Sequence, residues 1–559
     1  MNINLTIDLK KLARVKDWIE ARLSWERAIV LVSAILSTIA IIYSYMNDYI
    51  VAYGDAESHL NIAKRTINSV TPGFAQLGGI WLPIPHIMMI PFIWSDFMWR
   101  TGLAGAIVSG LSYVISCLFI YKLLKLLTKD IVASMVGFLT FALNLNVLYM
   151  QSTPMTELPL IMFFILSTYY FILFVLDDRR ILSLIASGFF GFLATLSRYD
   201  GWFLVLIQAG IIVLMYLPAV LKRNGEKWRM LQGKLLAFMT PAFFGIVIWM
   251  AWDYLILGDP FYFTNSQFSA KSQQQSWNAR GELPAYHDIF QSISYYMVTA
   301  MSNIGLIIFA LALIGFIYYL RDKKQQKRFF IALVLLVPFI FYIVTLWLGQ
   351  SVIFIPHLTP VSFEWRLFNV RYGLMAVPFA AFYTGYLFYR CKPATQALIL
   401  GLAVAQFALY MVGYSQVISL ADGTVGLSNA KRPDAERWMA KNYNGGMVLM
   451  DDFARTMSLL RSNIPMQQSI YIGNKPFWEE SLREPEKYAT WIVMQKDDAV
   501  WNALYADPVK QGRLFKYFNK AYTSPEILVF KRIKPIGKDL DELKRLADES
   551  EKSKAKSAK

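Results

Sequence analysis

The chain is poor in cysteine, charge and nucleotide-binding motifs, and each scarcity excludes a class of protein. Its only two cysteines, Cys117 and Cys391, fall in or beside apolar runs, so neither a disulfide framework nor a thiolate metal site is available. No Walker A loop, dinucleotide fingerprint or His-Glu-x-x-His run occurs in the context that it requires. A nucleotide-driven pump is therefore disfavoured.

Only 17% of the 559 residues are charged, whereas 56% are hydrophobic and 15% aromatic. One soluble core cannot bury so much apolar surface, and the charges collect in short runs between membrane-length apolar stretches. The net charge of +16 would suggest nucleic acid binding in a soluble protein. Here we assign the excess to cytoplasmic flanks and a basic tail, and we expect no nucleic acid partner.

The apolar runs predict an α-helical polytopic membrane protein with about eleven transmembrane helices. The first run follows a basic N-terminus without a cleavage site and is interpreted as a retained signal anchor with a cytoplasmic N-terminus. Every predicted inner loop is then basic, and all four histidines fall in outer loops. The predicted spans are 28–46, 102–120, 131–149, 158–176, 181–197, 202–220, 235–256, 296–320, 329–348, 372–390 and 395–414.

Beyond the spans, short β-type runs at 447–450, 469–472, 490–494 and 527–531 alternate with helical patterns at 433–441 and 476–484. This pattern predicts a C-terminal extracytoplasmic α/β domain. The predicted organisation is a basic segment 1–27, a transmembrane domain 28–414 with catalytic outer loops, an α/β domain 415–533 and a charged tail 534–559. The tail lacks aromatic residues and is expected to be a solvated helix with a disordered end.

The first outer loop places Asp55, Glu57 and His59 within five residues directly after a span. A carboxylate near hydrocarbon is costly unless it is paired, bound to a metal or in a wet cavity, so these residues are functional candidates. The structural alternative is a solvated loop, or a helix N-cap formed by Asp55.

Two more candidates follow at outer hairpins. Glu157 lies between Pro154 and Pro159, and it either faces the first loop or simply begins the next helix, where its charge suits the helix dipole. Arg198 and Asp200 occupy a very short outer turn, and they could do no more than pair with each other.

Arg366 and Arg371 occur among aromatic residues where the third long outer loop enters a span. Guanidinium groups bind phosphate oxygens in a bidentate manner, which suits a phosphate head group whose lipid tail lies in the membrane. The alternative is interfacial anchoring by snorkelling arginines and an aromatic belt.

Together these motifs resemble the GT-C superfamily of membrane glycosyltransferases, most closely its protein mannosyltransferase and aminoarabinose transferase branch (family 39-like), over about residues 28–414. The resemblance implies inverting transfer of a hexosyl or pentosyl unit from a polyprenyl-phosphate donor to an envelope glycan, lipid or protein hydroxyl. It places the reaction at the outer face of the cell membrane. The adjacent acids common in this branch are separated here by Ala56, and the Trp-Trp-Asp-Tyr-Gly signature of oligosaccharyltransferases is not found.

The resemblance also implies residue roles. Asp55 would be the general base, and Glu57 would position the acceptor or help to hold a divalent cation, Mg²⁺ or Mn²⁺, with His59 and Glu157 as neighbours. Donor and acceptor binding would involve the acids and basic residues of the outer loops. These implied binding residues are His59, Glu157, Arg198, Asp200, Arg366 and Arg371, with Arg371 foremost in stabilising the phosphate leaving group.

Two other classes stay open. A multi-pass transporter or lipid flippase would suit the span count, but such proteins usually carry charged or broken-helix residues near the midplane and internal repeats, and the sequence indicates neither. A surface scaffold that presents the C-terminal domain would not need so many spans or clustered outer carboxylates.

Overall fold

The computed structural model describes residues 24–267, 269–356, 358, 367–427, 429, 433–451, 456–534, 542, 544, 545 and 549. The basic N-terminal segment up to residue 23 and nearly all of the tail after 534 lie outside this range, as do Arg366 and His357. The predictions made for those residues therefore remain predictions.

Each predicted span coincides with helix in the structure, because the apolar runs satisfy their backbone hydrogen bonds internally. Several of these helices are short or interrupted. The helices that form the apolar part of the chain are Trp25–Met46, Gly54–Ile67, Ile84–Ile93, Asp96–Thr101, Leu103–Thr128, Ile131–Ala142, Leu145–Met150, Glu157–Leu176, Ile181–Thr195, Asp200–Leu221, Gly225–Leu257, Tyr262–Asn265, Ala270–Ala279, Ile289–Ile304, Leu306–Arg321, Arg328–Leu335, Val337–Trp347, Val377–Arg390 and Pro393–Met411.

Among the described residues, six helices are long and apolar enough to cross a membrane, and eight spans result if each of two bent helix pairs counts as one. The remaining predicted spans contain shorter helices. The run 131–149 divides into Ile131–Ala142 and Leu145–Met150, the run 181–197 holds Ile181–Thr195, and the run 372–390 begins with a 3-10 turn, Val370–Ala376. Length and composition thus support fewer complete spans than predicted.

The predicted span 296–320 needs a correction, because it is not one helix. Helices Ile289–Ile304 and Leu306–Arg321 meet at Gly305 with a bend of 113°. Gly305 has φ +91°, and a Cβ atom there would lie 2.1 Å from the Gln406 amide nitrogen, so only glycine fits without strain. The first of the two helices accordingly begins within the segment that we predicted as outer loop.

The C-terminal part contains the strands β1 (Val448–Leu449), β2 (Ser469–Ile470), β3 (Trp491–Gln495), β4 (Phe518–Thr523) and β5 (Ile527–Arg532). They form one five-stranded sheet in the order β2-β1-β3-β5-β4. Strand β1 pairs in parallel with β2 and β3, whereas β5 pairs antiparallel with β3 and β4. The four predicted β runs are confirmed as β1, β2, β3 and β5, and the predicted helices are present as Pro433–Asn442 and Phe477–Arg483. The other helices of this part are Ile418–Val425, Leu459–Ser462, Pro485–Tyr488, Ala499–Leu504 and Pro508–Tyr517.

The α/β part packs on the segment that follows the first span. Arg100 Nη1 donates to the Leu459 carbonyl at 3.0 Å, and Gln76 Nε2 donates to the Gly473 carbonyl at 3.1 Å. Helix Ile418–Val425 instead contacts the transmembrane elements, because the Ser419 amide donates to Asn146 Oδ1 at 3.0 Å. Residues after the predicted boundary at 414 therefore contact both the first outer loop and the transmembrane helices.

Candidate active site

Three predicted acids lie at the starts of three helices. Asp55 is the second residue of Gly54–Ile67, Glu157 is the first of Glu157–Leu176, and Asp200 is the first of Asp200–Leu221. A carboxylate is stabilised there by the partial positive charge of the unpaired amides. The short turn before Asp200 is held by close packing, since a Cβ atom on Gly201 would lie 2.3 Å from the Ala194 carbonyl carbon.

Glu157 joins the two predicted arginines. Its Oε1 atom is 3.0 Å from Arg198 Nη1 and 3.2 Å from Arg371 Nε, and its side chain is fully buried. Its second oxygen, Oε2, has no hydrogen-bond partner within the described part of the chain. Arg198 also lies 3.4 Å from Asp200 Oδ2 through its Nε atom. Glu157 therefore both begins a helix and faces the first loop, the two alternatives that the sequence left open.

Asp55 completes this group of charges. Its Oδ2 atom accepts a hydrogen bond from Arg371 Nη2 at 2.6 Å, with 38% of the Asp55 side chain exposed but only 4% of Arg371. The side chain of Asp200 is 6% exposed and that of Glu157 is 0% exposed. Of these three acids, Asp55 is the one that a molecule outside the protein can reach.

Asp422 is a fourth acid of the site, which the sequence analysis missed. It lies on helix Ile418–Val425, 3.9 Å from Arg371 Nη1, and its Oδ2 accepts a hydrogen bond from the Tyr53 hydroxyl at 3.4 Å. Burial raises the pKa of Asp422 to about 7, although Arg371 opposes that shift. No sequence signal marked this residue, because its segment, Leu-Ala-Asp-Gly, has no charged neighbour. We call Asp55, Glu157, Arg198, Asp200, Arg371 and Asp422 the acid–arginine cluster.

Aromatic rings surround the two arginines. The Arg371 guanidinium lies 5.0 Å from the Tyr53 ring centroid and 5.5 Å from that of Tyr372, and Arg198 lies 5.2 Å from Tyr372. Arg198 Nη2 also donates to the Tyr342 hydroxyl at 3.3 Å. Such cation–π contacts hold the guanidinium planes in place and exclude water from one of their faces.

Glu57 is not part of this cluster. Its Oε1 accepts a hydrogen bond from the Leu459 amide at 3.0 Å, and its Oε2 lies 3.6 Å from Arg461 Nη1 in the α/β part. Residues i and i+2 of a helix do not share a face, so Asp55 and Glu57 point in different directions. Burial raises the pKa of Glu57, and Arg461 opposes the shift. The expectation that Glu57 works beside Asp55 is corrected accordingly.

His59 pairs with a second histidine. Its Nδ1 lies 2.9 Å from His86 Nε2, and its ring is 4.8 Å from the Trp81 ring. Burial first, and then the charges of Arg371 and Arg198, lower the pKa of His59 to about 3. The imidazole is therefore neutral at physiological pH and adds no positive charge for a phosphate.

The three predicted metal ligands Glu57, Glu157 and His59 contact three different groups of residues. Within the described residues, no three His, Cys, Asp or Glu side chains are placed to hold a metal ion. As the structure describes them, these three residues thus do not form one site for a divalent cation. Arg366, the remaining predicted binding residue, lies outside the described residues.

The arrangement joins two chemical capacities. A partly exposed carboxylate can accept a proton from a hydroxyl group. The guanidinium groups of Arg371, which contacts Asp55, and of the largely buried Arg198 offer N–H donors to developing negative charge in a site of low dielectric constant. The arrangement thus combines a group that can accept a proton with groups that can stabilise an anion.

Comparison with known proteins points in the same direction. Residues 90–250 match a family model described as dolichyl-phosphate-mannose-protein mannosyltransferase. This range includes Glu157, Arg198 and Asp200 but not Asp55, Arg371 or Asp422. No curated protein sequence matches the chain.

Two solved structures share the fold over nearly the whole chain. ArnT from Cupriavidus metallidurans bound to undecaprenyl phosphate gives a TM-score of 0.52 at 11% identity, covering 90% of this chain and 99% of ArnT. The apo state of ArnT gives 0.52 at 13% identity, covering 88% and 97%. The oligosaccharyltransferase of Archaeoglobus fulgidus with Zn and sulfate gives a TM-score of 0.48 at 12% identity, covering 90% of this chain and 73% of that chain.

The helices and the sheet thus define a multi-pass membrane protein with a helical membrane part and a C-terminal α/β part. Residues 90–250 of the chain are similar to the dolichyl-phosphate-mannose-protein mannosyltransferase family, and nearly the whole chain shares the fold of ArnT.

Proposed function

We propose that this chain transfers a sugar from a polyprenyl-phosphate donor to a hydroxyl group of an extracytoplasmic acceptor. The observation that carries the proposal is the contact of exposed Asp55 with buried Arg371 at 2.6 Å. The family described as dolichyl-phosphate-mannose-protein mannosyltransferase, and the ArnT structure bound to undecaprenyl phosphate, support a lipid-phosphate donor. The acceptor is an envelope glycan, a lipid or a protein hydroxyl.

The proposed reaction is an inverting displacement. Asp55 takes the proton from the acceptor hydroxyl, and the acceptor oxygen attacks the anomeric carbon from the side opposite the phosphate. The new bond joins the anomeric carbon to the acceptor oxygen. The bond between that carbon and the phosphate oxygen breaks, and its electron pair leaves with the polyprenyl phosphate. Asp55 then releases the proton to solvent.

Arg371 and Arg198 stabilise the departing phosphate in this scheme. Glu157 Oε1 contacts both guanidinium groups, at 3.0 Å from Arg198 Nη1 and 3.2 Å from Arg371 Nε. When the phosphate shares Arg371, the bond from Arg371 to Asp55 weakens, and Asp55 becomes a better proton acceptor. Donor binding would therefore activate the base. Without an acceptor, the donor would be hydrolysed only when a water molecule takes the place of the acceptor hydroxyl beside Asp55.

We also propose that the acid–arginine cluster and the α/β domain face the extracytoplasmic side. Every loop between predicted spans on the opposite side is basic, as the positive-inside rule requires of cytoplasmic loops. A polyprenyl-phosphate sugar supplied at the outer leaflet would then reach Arg371 with its lipid tail still in the membrane.

The test is donor consumption by membranes containing the wild-type chain, offered a panel of polyprenyl-phosphate sugars. Asp55→Asn should abolish consumption of the donor that the wild type uses, and Asp55→Glu should retain part of it. Asp434→Asn is the matched control, because Asp434 forms an exposed ion pair with Arg437, and neither residue belongs to the acid–arginine cluster. If the folded wild type consumes none of the donors, the proposed function is wrong, and solute transport into proteoliposomes becomes the next assay.

A further inference from the structure

The outer end of helix Gly225–Leu257 carries buried polar groups without partners. Asp253 is 0% exposed, and neither of its carboxylate oxygens has a hydrogen bond within the described part of the chain. The indole N–H of Trp252 also lacks one, and that of Trp249, beside the Tyr199 hydroxyl, makes no hydrogen bond of normal geometry. Residues 249, 252 and 253 lie at i, i+3 and i+4, so they share one face of the helix.

Such groups are expensive to leave unpaired. Each buried donor or acceptor without a hydrogen bond destabilises the folded state, and a charged one does so more strongly. Native proteins therefore seldom retain several of them in one place unless water, an ion or a ligand completes the hydrogen bonds.

Aromatic rings enclose the same place. Trp249 and Trp252 are stacked with centroids 4.9 Å apart and planes at 4°. The ring centroids of Tyr199, Trp202 and Phe263 lie 5.3 Å from one another in all three pairs. All five belong to one apolar group with Leu82 and Leu196. We call Trp249, Trp252, Tyr199, Trp202 and Phe263 the aromatic cluster.

The aromatic cluster borders the acid–arginine cluster. Tyr199 is the residue between Arg198 and Asp200, and its hydroxyl donates to the Ile80 carbonyl at 2.8 Å. The next residue, Trp81, packs on His59, which belongs to the same helix as Asp55. The turn that carries Arg198 thus separates the two clusters.

The chemistry of the unpaired groups identifies what they would bind. A phosphate would be repelled by Asp253, an apolar tail would leave all the polar groups unpaired, and a cation would satisfy the carboxylate but not the indole N–H groups. A sugar ring has hydroxyl groups that both donate and accept hydrogen bonds, and C–H faces that pack on aromatic rings.

We infer that Asp253 and the aromatic cluster form a sugar-binding subsite beside the acid–arginine cluster. The inference rests on the proposed function and extends it, because it assigns residues to the recognition of the sugar. Asp253 accepts from sugar hydroxyls, Trp252 donates to one, and the rings pack on the C–H face. Trp252 and Phe263 are half-buried, so their side chains form the entrance to the subsite.

The sugar has two sources, the unit carried by the donor and a sugar unit of the acceptor, and steady-state kinetics distinguish them. Asp253→Asn and Trp252→Phe keep the size or the aromatic character of each side chain and remove the charge or the N–H donor. Each variant should raise KM for one of the two substrates by about tenfold, the loss of roughly one hydrogen bond, and should lower kcat by much less. Trp228→Phe, at the exposed inner end of the same helix, is the matched control and should leave both constants unchanged.

A binding assay tests the subsite without turnover. Titration of the purified full chain in detergent with glucose, mannose, galactose, arabinose and their methyl glycosides should quench tryptophan fluorescence in the wild type, and less in Trp252→Phe. A rise in the donor KM assigns the subsite to the donor sugar, and a rise in the acceptor KM assigns it to the acceptor. Unchanged KM values in an active enzyme would overturn the inference and leave ordered water as the only partner of these groups.

If the wild type transfers no sugar, the proposed function fails, and the fluorescence titration still decides the inference. Equal quenching in the wild type and Trp252→Phe, or none in either, would contradict it. If Asp253→Asn does not fold, Trp252→Phe decides alone, because it removes only one N–H donor from a half-buried side chain.

Discussion

Two groups of arginines and carboxylates contact the same helix, Gly54–Ile67, and they differ in ways that separate function from structure. The acid–arginine cluster contacts the helix through the partly exposed Asp55, and within the described part of the chain one oxygen each of Glu157, Asp200 and Asp422 has no hydrogen bond. The second group contacts the helix through Glu57.

In the second group, Arg461 donates two hydrogen bonds to the Glu436 carboxylate, from Nε at 2.6 Å and from Nη2 at 3.0 Å. Its Nη1 lies 3.6 Å from Glu57 Oε2. Glu57 and Glu436 are only 3% and 2% exposed. None of their carboxylate oxygens is left without a partner within the described residues. A buried group whose carboxylate oxygens all have partners fixes the α/β part on the membrane part. A partly exposed group with unpaired oxygens is suited to binding and reaction.

The first way to sharpen this comparison is Arg371→Lys. Lysine keeps the charge but cannot contact Asp55 and Glu157 with a planar fork. We expect transfer to fall by about 100-fold, the effect of losing one positioned donor to a developing anion. The measurement is kcat with the donor that the wild type consumes. Arg437→Lys, at an exposed ion pair, is the control, and equal activity of the two variants would contradict a phosphate-binding role for Arg371.

The second is Glu157→Gln. The amide has the same shape, but it loses the charge that holds Arg198 and Arg371. Hydrogen bonds to charged groups contribute roughly 1.5–3 kcal/mol each, so we expect kcat to fall by about tenfold to a hundredfold. Stability should fall by about 3 kcal/mol, because two buried arginines lose a shared partner. Unchanged kcat at the temperature where the variant is folded would show that Glu157 is only structural.

The third uses the pH dependence of Asp422. Burial raises its pKa from 3.8 to about 7, so the folded state holds a proton that the unfolded state has lost between these two pH values. The Asp422 contribution to stability is therefore complete below pH 3.8 and is lost as the pH rises to about 7. Asp422→Asn should remove this decline, and thermal unfolding of both forms in detergent from pH 4 to pH 8 measures it. Parallel curves would contradict the raised pKa.

The fourth and smallest effect is expected for Glu57→Gln. Burial raises the pKa of Glu57 and makes its charge costly, and glutamine can still accept from the Leu459 amide. We expect transfer within about threefold of wild type and a change in the free energy of unfolding of about 1 kcal/mol. Both are measured on the same preparation. A loss comparable to that of Arg371→Lys would move Glu57 into the reaction.

Much of the fold followed from local patterns. Apolar runs located the helices, and short β-type runs located four of the five strands. Strand β4 was missed because its sequence, Phe-Asn-Lys-Ala-Tyr-Thr, is largely exposed and lacks the apolar alternation of a buried strand. The break at Gly305 was missed because glycine inside an apolar run is common in membrane helices.

The site was predicted less completely, for reasons of geometry. Five of its residues lie at outer ends of predicted spans, so the parity of the spans placed them on one side. Asp422 lies after the last span in a segment without a motif, and only tertiary packing brings it to Arg371. The direction of Glu57 depends on where its helix begins, because a shift by one residue turns each side chain by about 100°.

The most direct test of the central claim compares the two acids of helix Gly54–Ile67 in one experiment. Sugar transfer from the wild type's polyprenyl-phosphate donor is measured for Asp55→Asn and Glu57→Gln in membranes containing equal amounts of folded protein. We predict no detectable product from Asp55→Asn and nearly wild-type product from Glu57→Gln. Product from Asp55→Asn at the wild-type rate, with or without a loss in Glu57→Gln, would contradict the assignment of Asp55 as the base.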